Sequence, residues 1–364
     1  MKVALVIEKF SPAGGVERQA AYMAKGLVAR GHDVHVFARQ IAATPGVTGH
    51  KVPPEGIFMS QSFGPQTEQM LKADTFDVIH SFSRTPYQDL LRLGGGTHKE
   101  YLHATDPAYS GLGRLFRRMR PKERLELTLE EASFRPHASK KIVAVSRRVK
   151  EEVVRHYGVP ADKIVVIHNA VDCSEFKPSE EARRLIRSQI GLADADYMLL
   201  FVGSGFRRKG LEYAIRAIDR VPSAKLVVAG EGHATPHPRV VMLGRRTDVS
   251  QLYAAADAFI FPTLYDPFPN AVLEAMASGI PAIVSRVAGV SEVIDGDSIV
   301  VENPMNIDEL AAAVKKLEDP ALRKPLGEAA RKKAMARPLE TVLDENLKLY
   351  EEVVAMKRAA GTSS

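Results

Sequence analysis

The chain contains no tryptophan, a single cysteine (Cys173) and only 7% aromatic residues. One cysteine excludes an intrachain disulfide and any cysteine-based zinc site, and it suits a reducing compartment. Cys173 itself reads as a small loop residue. Long apolar runs are missing as well. Tyr197 to Val202 and Ala254 to Phe261 fall far short of the roughly 18 apolar residues that a spanning helix needs. The opening run Met1 to Ile7 meets Glu8 rather than a small-residue cleavage site, so no signal peptide is expected and a cytoplasmic location follows. There is no Ser-His-Asp order, no metal-spaced histidine cluster and no repeat at the solenoid or propeller period.

What is present is an ordinary globular composition, 45% hydrophobic and 26% charged over 364 residues. That length exceeds what one core organises and predicts two domains. Lys and Arg exceed Asp and Glu by 50 to 44, a formal charge of +6 that suggests anionic partners.

Val3 to Ile7 reads as a buried strand, Ser11 to Gly15 as a Gly-rich turn, and the stripe Val16, Ala20, Met23, Ala24, Leu27 as a helix stopped at Gly31. Val34 to Phe37 resumes a strand, which completes a βαβ unit with parallel strands. Further strands are predicted at 77–80, 90–93, 142–145 and 164–167. A second alternation follows the polar helix 179–189. It comprises strands at 197–202, 225–229, 240–243, 258–261, 281–284 and 298–301, with helices from Leu211, over 249–256 and over 271–277. Helices at 307–318, 321–336 and 339–356 finish the chain, and Ala359 to Ser364 reads as a disordered tail. The fold class is therefore α/β and doubly wound, with a boundary near residue 180.

Two Gly-rich turns lie where a strand meets a helix, which is where backbone amides receive an anion. The first is Gly14-Gly15. The second, Gly203 to Gly210, carries Arg207, Arg208 and Lys209 at a predicted helix start, where cations oppose the helix dipole unless an anion such as a diphosphate is bound. Its G-x-G-x4-G spacing is not the dinucleotide fingerprint. In Asp266 to Glu274 two carboxylates bracket the entry to an apolar helix. The Ala271 and Val272 amides are expected to be free for a phosphate there, and Glu274 and Asp266 to accept from sugar hydroxyls. His98, after three glycines at a strand end, is a candidate for touching the acceptor or the transferred sugar. The D-x-D pairs at 194–196 and 295–297 read as turn acids.

Between Leu112 and Arg124 six cations face one acid while Leu112, Leu115, Phe116 and Met119 recur at helical spacing. Such a basic amphipathic segment can lie on an anionic membrane surface through Arg114, Arg117 and Arg118, or pack on the first domain with a solvated basic face. No aromatic interleaving favours nucleic acid, and none is expected as a partner.

In order, these motifs resemble the family-4 retaining glycosyltransferases of the GT-B fold: Gly14-Gly15-Val16-Glu17-Arg18, Ala29 to Val34, Val145-Ser146, Tyr157 to Pro160, Asn169 to Asp172, Val202-Gly203, Arg208-Lys209-Gly210, Gly230-Glu231-Gly232, Gly244-Arg245 and the acid pair at 266 and 274. Within the family, Phe10 to Gly15, Gly203 to Gly210 and the basic segment most resemble the lipopolysaccharide core glucosyltransferases I. The resemblance implies two Rossmann-like parallel-sheet domains facing a cleft. Residues 1–180 would bind the acceptor, 181–338 the nucleotide sugar, and 339–364 would form a C-terminal helix packing back on the first domain, followed by the tail.

The resemblance also implies roles. Arg208 and Lys209 hold the donor diphosphate, Gly15 approaches the phosphate, Arg245 borders the base, and Asn270, Ala271, Val272 and Glu274 complete the donor site, with Glu274 on the ribose. Asp266 binds sugar hydroxyls, although the family pattern has a glutamate there. Arg208, Lys209, Asp266 and His98 are the catalytic candidates. The implied donor is a nucleoside-diphosphate sugar, UDP-glucose by the nearest likeness. The implied acceptor is a lipopolysaccharide core or another glycolipid or oligosaccharide, with no metal and no other cofactor, at the inner face of the cytoplasmic membrane. A nucleotide-sugar 2-epimerase, or a non-catalytic glycan- or lipid-surface binder on the same scaffold, stays open as an alternative.

Overall fold

The computed structural model describes residues 1–53 and 59–361. The chain forms two compact units. One is built from residues 1–169 together with the C-terminal helix Leu339–Gly361, the other from Ala170–Pro338.

The first unit is centred on a seven-stranded sheet. Its spatial order is Val47–Lys51, Asp33–Ala38, Lys2–Val6, Val78–Ser81, Leu90–Leu93, Lys141–Ala144 and Ile164–Val166, with every pair parallel. Lys2–Val6 is an interior strand, third in this order, and Val3 to Val6 are fully buried, because a parallel sheet covered by helices hides both faces of its inner strands. From there the chain runs outward through Asp33–Ala38 to Val47–Lys51 and then crosses to the other side at Val78–Ser81. The switch in direction therefore lies between Lys2–Val6 and Val78–Ser81.

Helix Val16–Ala29 covers this sheet with its apolar stripe and is followed by Gly31 at φ +75°. Helix Arg147–Tyr157 starts at Ser146, whose hydroxyl accepts from the Val149 amide at 3.2 Å, and ends at Gly158 in the left-handed conformation.

The long helix Leu339–Gly361 belongs to this first unit. Gly26, in the middle of Val16–Ala29, leaves the space that Leu343 fills; a Cβ there would stand 2.7 Å from its Cδ2. Arg30 pairs with Asp344 at 2.6 Å, and the Tyr350 hydroxyl meets His80 Nδ1 at 2.7 Å inside the core. Lys357 donates to the carbonyls of Phe76 and Asp77 at 2.9 and 3.1 Å and reaches Asp89 at 3.1 Å. The expected tail begins later than the sequence suggests, since Ala359 to Gly361 continue the helix; Thr362 to Ser364 lie outside the described residues.

The second unit holds six parallel strands in the order Val240–Gly244, Ala224–Ala229, Tyr197–Val202, Ala258–Phe261, Ala282–Ser285 and Ile299–Val301. Direction switches between Tyr197–Val202 and Ala258–Phe261. A buried Asp257 ties its outer helices together, accepting from Arg183 at 3.1 Å, Arg187 at 2.7 Å and Arg323 at 3.3 Å. Three of the four D-x-D acids are likewise bound within the unit. Asp194 pairs with Arg183, Asp196 with Lys225 and Asp297 with Lys333.

Candidate functional site

In open α/β sheets, ligands settle outside the carboxyl ends of the strands where strand order reverses. In the second unit, that point brings the turn after Tyr197–Val202 against the loop after Ala258–Phe261. The Arg208 carbonyl accepts from the Leu264 amide at 2.8 Å and the Thr263 hydroxyl at 3.1 Å. Arg208 Nη1 donates to the Tyr265 carbonyl at 2.7 Å and to Asp266 Oδ2 at 3.1 Å. Two residues 58 positions apart, both singled out from sequence, are thus an ion pair.

Lys209 turns inward over the Phe261 ring, its Nζ 4.9 Å from the ring centroid. Gly203 makes this possible. At φ +139° it has no side chain to meet, and a Cβ there would collide with the Lys209 ammonium and stem. Desolvation holds the Lys209 pKa below the usual lysine range, with Asp266 and Glu274 pulling it back up and Arg208 pushing it down. Glu274 is buried in helix Asn270–Ala277 and accepts from the Tyr253 hydroxyl at 2.9 Å. Arg208, Lys209, Asp266 and Glu274 therefore form one electrostatic cluster. Asn270 and Ala271 open the helix, and Arg245 is exposed just beyond Val240–Gly244.

Two expectations need correction here. The Val272 amide is not free, because the first turn closes on Pro269 and Val272 N–H donates to its carbonyl at 3.2 Å. The cations at 207–209 do not start the longer helix. They form the last turn of a separate helix, Phe206–Lys209, with Gly210 between it and Leu211–Ile218. Their placement there agrees with that short helix's dipole, so an unfavourable dipole does not argue for a bound anion at these cations.

In the first unit, a cavity of about 280 Å³ opens at the corresponding switch point, lined among others by Glu8, Lys9, Ser83, Arg84, Gly96 and Glu126. Arg84 is fixed by Glu126 at 3.1 Å, Glu130 at 2.9 Å and the Gly96 carbonyl at 3.3 Å. Glu8 is exposed as a residue, yet loss of water along the cavity raises its carboxyl pKa; Arg39 and Arg84 lower it and Glu126 raises it. Sequence reasoning passed over Glu8, although its position directly after the central strand was the available signal. His98 begins helix His98–Thr105 and is not among the cavity-lining residues; its Nε2 lies 2.6 Å from Glu123 Oε2. Gly15 precedes helix Val16–Ala29, and a Cβ on Gly14 would strike the Glu17 carboxylate, so an acid of the chain already lies over this turn.

The basic segment is helix Gly111–Met119. Leu112, Leu115, Phe116 and Met119 are 72, 57, 67 and 55% exposed. Arg117 corrects the expected surface. Its side chain is 4% exposed, lies between the rings of Tyr101 and Tyr109, and donates to Thr105 at 2.7 Å. Arg118 pairs with Asp106. Among the described residues, no helix is long and apolar enough to cross a membrane.

Residues 13–175 match the model described as Glycosyltransferase Family 4, and 196–319 that described as Glycosyl transferases group 1. An uncharacterized glycosyltransferase of Methanocaldococcus jannaschii is 28% identical, with 98% of this chain and 99% of that protein aligned. The lipopolysaccharide glucosyltransferase WaaG of Escherichia coli is 24% identical, over 97% and 94%. Its kind also appears among solved structures: a crystal structure of WaaG superposes with a TM-score of 0.82 at 21% identity, covering 96% of this chain and 99% of that one. HepE of Anabaena in complex with UDP and glucose superposes at 0.74 with 19% identity, over 96% and 99%.

Proposed function

Given that the chain carries a glycosyltransferase family 4 domain followed by a glycosyltransferase group 1 domain and is a GT-B glycosyltransferase, we propose that it moves a hexose, glucose in the first instance, from a nucleoside-diphosphate sugar to a glycolipid of the lipopolysaccharide-core type with retention at the anomeric carbon. UDP is the favoured donor nucleotide, by likeness to HepE, whose structure contains UDP and glucose. The supporting observation is the convergence of Arg208, Lys209, Asp266 and Glu274 at the switch point of the second unit.

In this reading the second unit binds the donor and the first the acceptor. Arg208 and Lys209 neutralise the diphosphate as the bond from the anomeric carbon to its oxygen breaks, so their help grows toward the transition state. The acceptor oxygen attacks the same face of an oxocarbenium-like sugar, and its proton leaves with the departing phosphate. Asp266, kept in place by Arg208, and Glu274, kept by Tyr253, accept from sugar and ribose hydroxyls. Gly15, Arg245, Asn270 and the Ala271 amide complete the donor contacts, while His98, held by Glu123, stands on the acceptor side. With two fixed cations on the diphosphate, the reaction requires no divalent ion.

The exposed apolar row of helix Gly111–Met119, flanked by Arg114, supports peripheral attachment to the anionic inner face of the cytoplasmic membrane. The direct test supplies UDP- and GDP-sugars in EDTA with and without a heptose-containing core lipid. Acceptor-dependent release of one nucleoside diphosphate is expected. Conversion of the donor without any acceptor would favour an epimerase, and a strict need for magnesium or manganese would overturn the metal-free step.

A further inference from the structure

The turn that follows Leu90–Leu93 is Gly94-Gly95-Gly96, and Gly95 and Gly96 line the cavity of the first unit. Three glycines in a row have too many backbone conformations of similar energy to keep one shape unaided, and Gly96 sits at φ +68°. Groups outside the turn impose the shape. Helix Pro121–Ser133 carries Glu130, which is fully buried. One oxygen of its carboxylate accepts from the His98 amide and pairs with Arg84 Nη2 at 2.9 Å. The other accepts from the Lys99 amide at 3.1 Å and from the Tyr157 hydroxyl. Arg84 in turn donates to the Gly96 carbonyl at 3.3 Å. A single carboxylate thus fixes both the end of the glycine turn and a cation of the cavity wall. A second one, Glu152, buried in helix Arg147–Tyr157, accepts from the Thr97 hydroxyl at 3.1 Å.

We infer that Glu130 is a positioning residue for the acceptor: without lining the cavity itself, it holds the glycine turn and Arg84 in the geometry that the acceptor meets. Stability alone does not account for a carboxylate at this place. Taking it out of water can cost more than its ion pair returns, and a well-packed apolar side chain is often at least as stable. What the carboxylate adds is the gathering of four donors from separate segments, which no apolar group could do. Both of its oxygens are needed as acceptors, because each faces a backbone N–H. The His98 and Lys99 amides open helix His98–Thr105, so they have no carbonyl partner within it, and a negative group there also suits the helix dipole. This inference rests on the first unit being the acceptor side.

The test compares the wild-type full chain with Glu130→Gln and, as a control for lost stability, Lys357→Met, which cuts the tie from the C-terminal helix to Asp89. Each is assayed below its unfolding transition for transfer from UDP-glucose to a heptose-containing core lipid, and for UDP affinity by calorimetry. Glutamine has nearly the shape of glutamate but offers one acceptor where two are needed, so it turns an N–H toward a backbone N–H. In Glu130→Gln, kcat/KM for the lipid should fall about tenfold or more while UDP affinity stays within about twofold, and Lys357→Met should change neither. Unchanged kcat/KM in folded Glu130→Gln, or an equal fall in Lys357→Met, would overturn the proposal. Single-amide hydrogen exchange on the wild-type protein decides the matter where the variant does not fold. The His98 and Lys99 amides should be protected, and exchange at the rate of an open chain would overturn the proposal as well. Wild-type protein that binds UDP yet transfers nothing to the lipid refutes the acceptor reading beneath it, whereas transfer that Glu130→Gln leaves intact refutes the Glu130 role alone.

Discussion

Gly203 and Lys209 depend on each other, since the lysine lies where any other residue at 203 would place its Cβ. Gly203→Ala should therefore displace the ammonium and weaken UDP-sugar binding by about tenfold or more, measured by calorimetry. An unchanged affinity would mean that Lys209 does not serve the diphosphate. The lysine's lowered pKa gives a second expectation with a definite sign. Diphosphate binding needs the protonated form, so donor affinity should fall as pH rises through a value below the ordinary lysine pKa of about 10.4. Lys209→Arg should remove that alkaline limb, because a guanidinium stays charged.

At this scale the sequence was informative about identity more than about orientation. Arg208, Asp266 and Glu274 were legible because glycines and an apolar helix frame them. That Arg208 would pair with Asp266, or Arg117 turn inward between two tyrosines, depends on contacts 58 and 16 residues apart or fewer that no local spacing encodes.

Among the elements, the C-terminal helix carries the clearest consequence. His80 is fully buried, and burial, assisted by Arg92, pushes its pKa down to about 3. The unfolded chain takes up this proton near pH 6.5 while the folded one does not. Stability should therefore be complete above about 6.5 and fall as pH drops toward 3, by at most about 1.4 kcal/mol per pH unit from this group. Urea unfolding across that range checks it, and His80→Gln should remove this share of the slope. Tyr350→Phe, which deprives His80 Nδ1 of its partner, should cost about 1–3 kcal/mol. Strands such as Tyr197–Val202 and Ala258–Phe261 are legible to the residue because buried parallel strands are unbroken apolar runs. Val47–Lys51 is not, since an edge strand reading Val-Thr-Gly-His-Lys is mostly solvated and bears no such run.

For the whole molecule, two parallel sheets on one chain follow from the doubly repeated β/α alternation, and the motifs in their order carry the family. The cavity of the first unit was not legible, because Glu8, Arg84 and Glu126 come from three separate segments that only the strand crossover brings together. The proposed membrane attachment is tested on the intact protein. Leu115→Ser with Phe116→Ser should reduce sedimentation with anionic vesicles about tenfold or more, whereas Arg117→Ser should act mainly by loosening the fold around Tyr101 and Tyr109. Equal sedimentation of the double variant would remove the helix from the membrane reading.

The proposed donor cradle is tested most directly by isothermal titration of UDP into the full chain in EDTA, alongside Arg208→Ala and Lys209→Met. Saturable uptake by the wild-type protein, weakened about tenfold or more by each replacement, is the expected result. No heat of binding in the wild-type protein, or equal affinity in all three, would contradict a nucleoside-diphosphate site at Arg208 and Lys209.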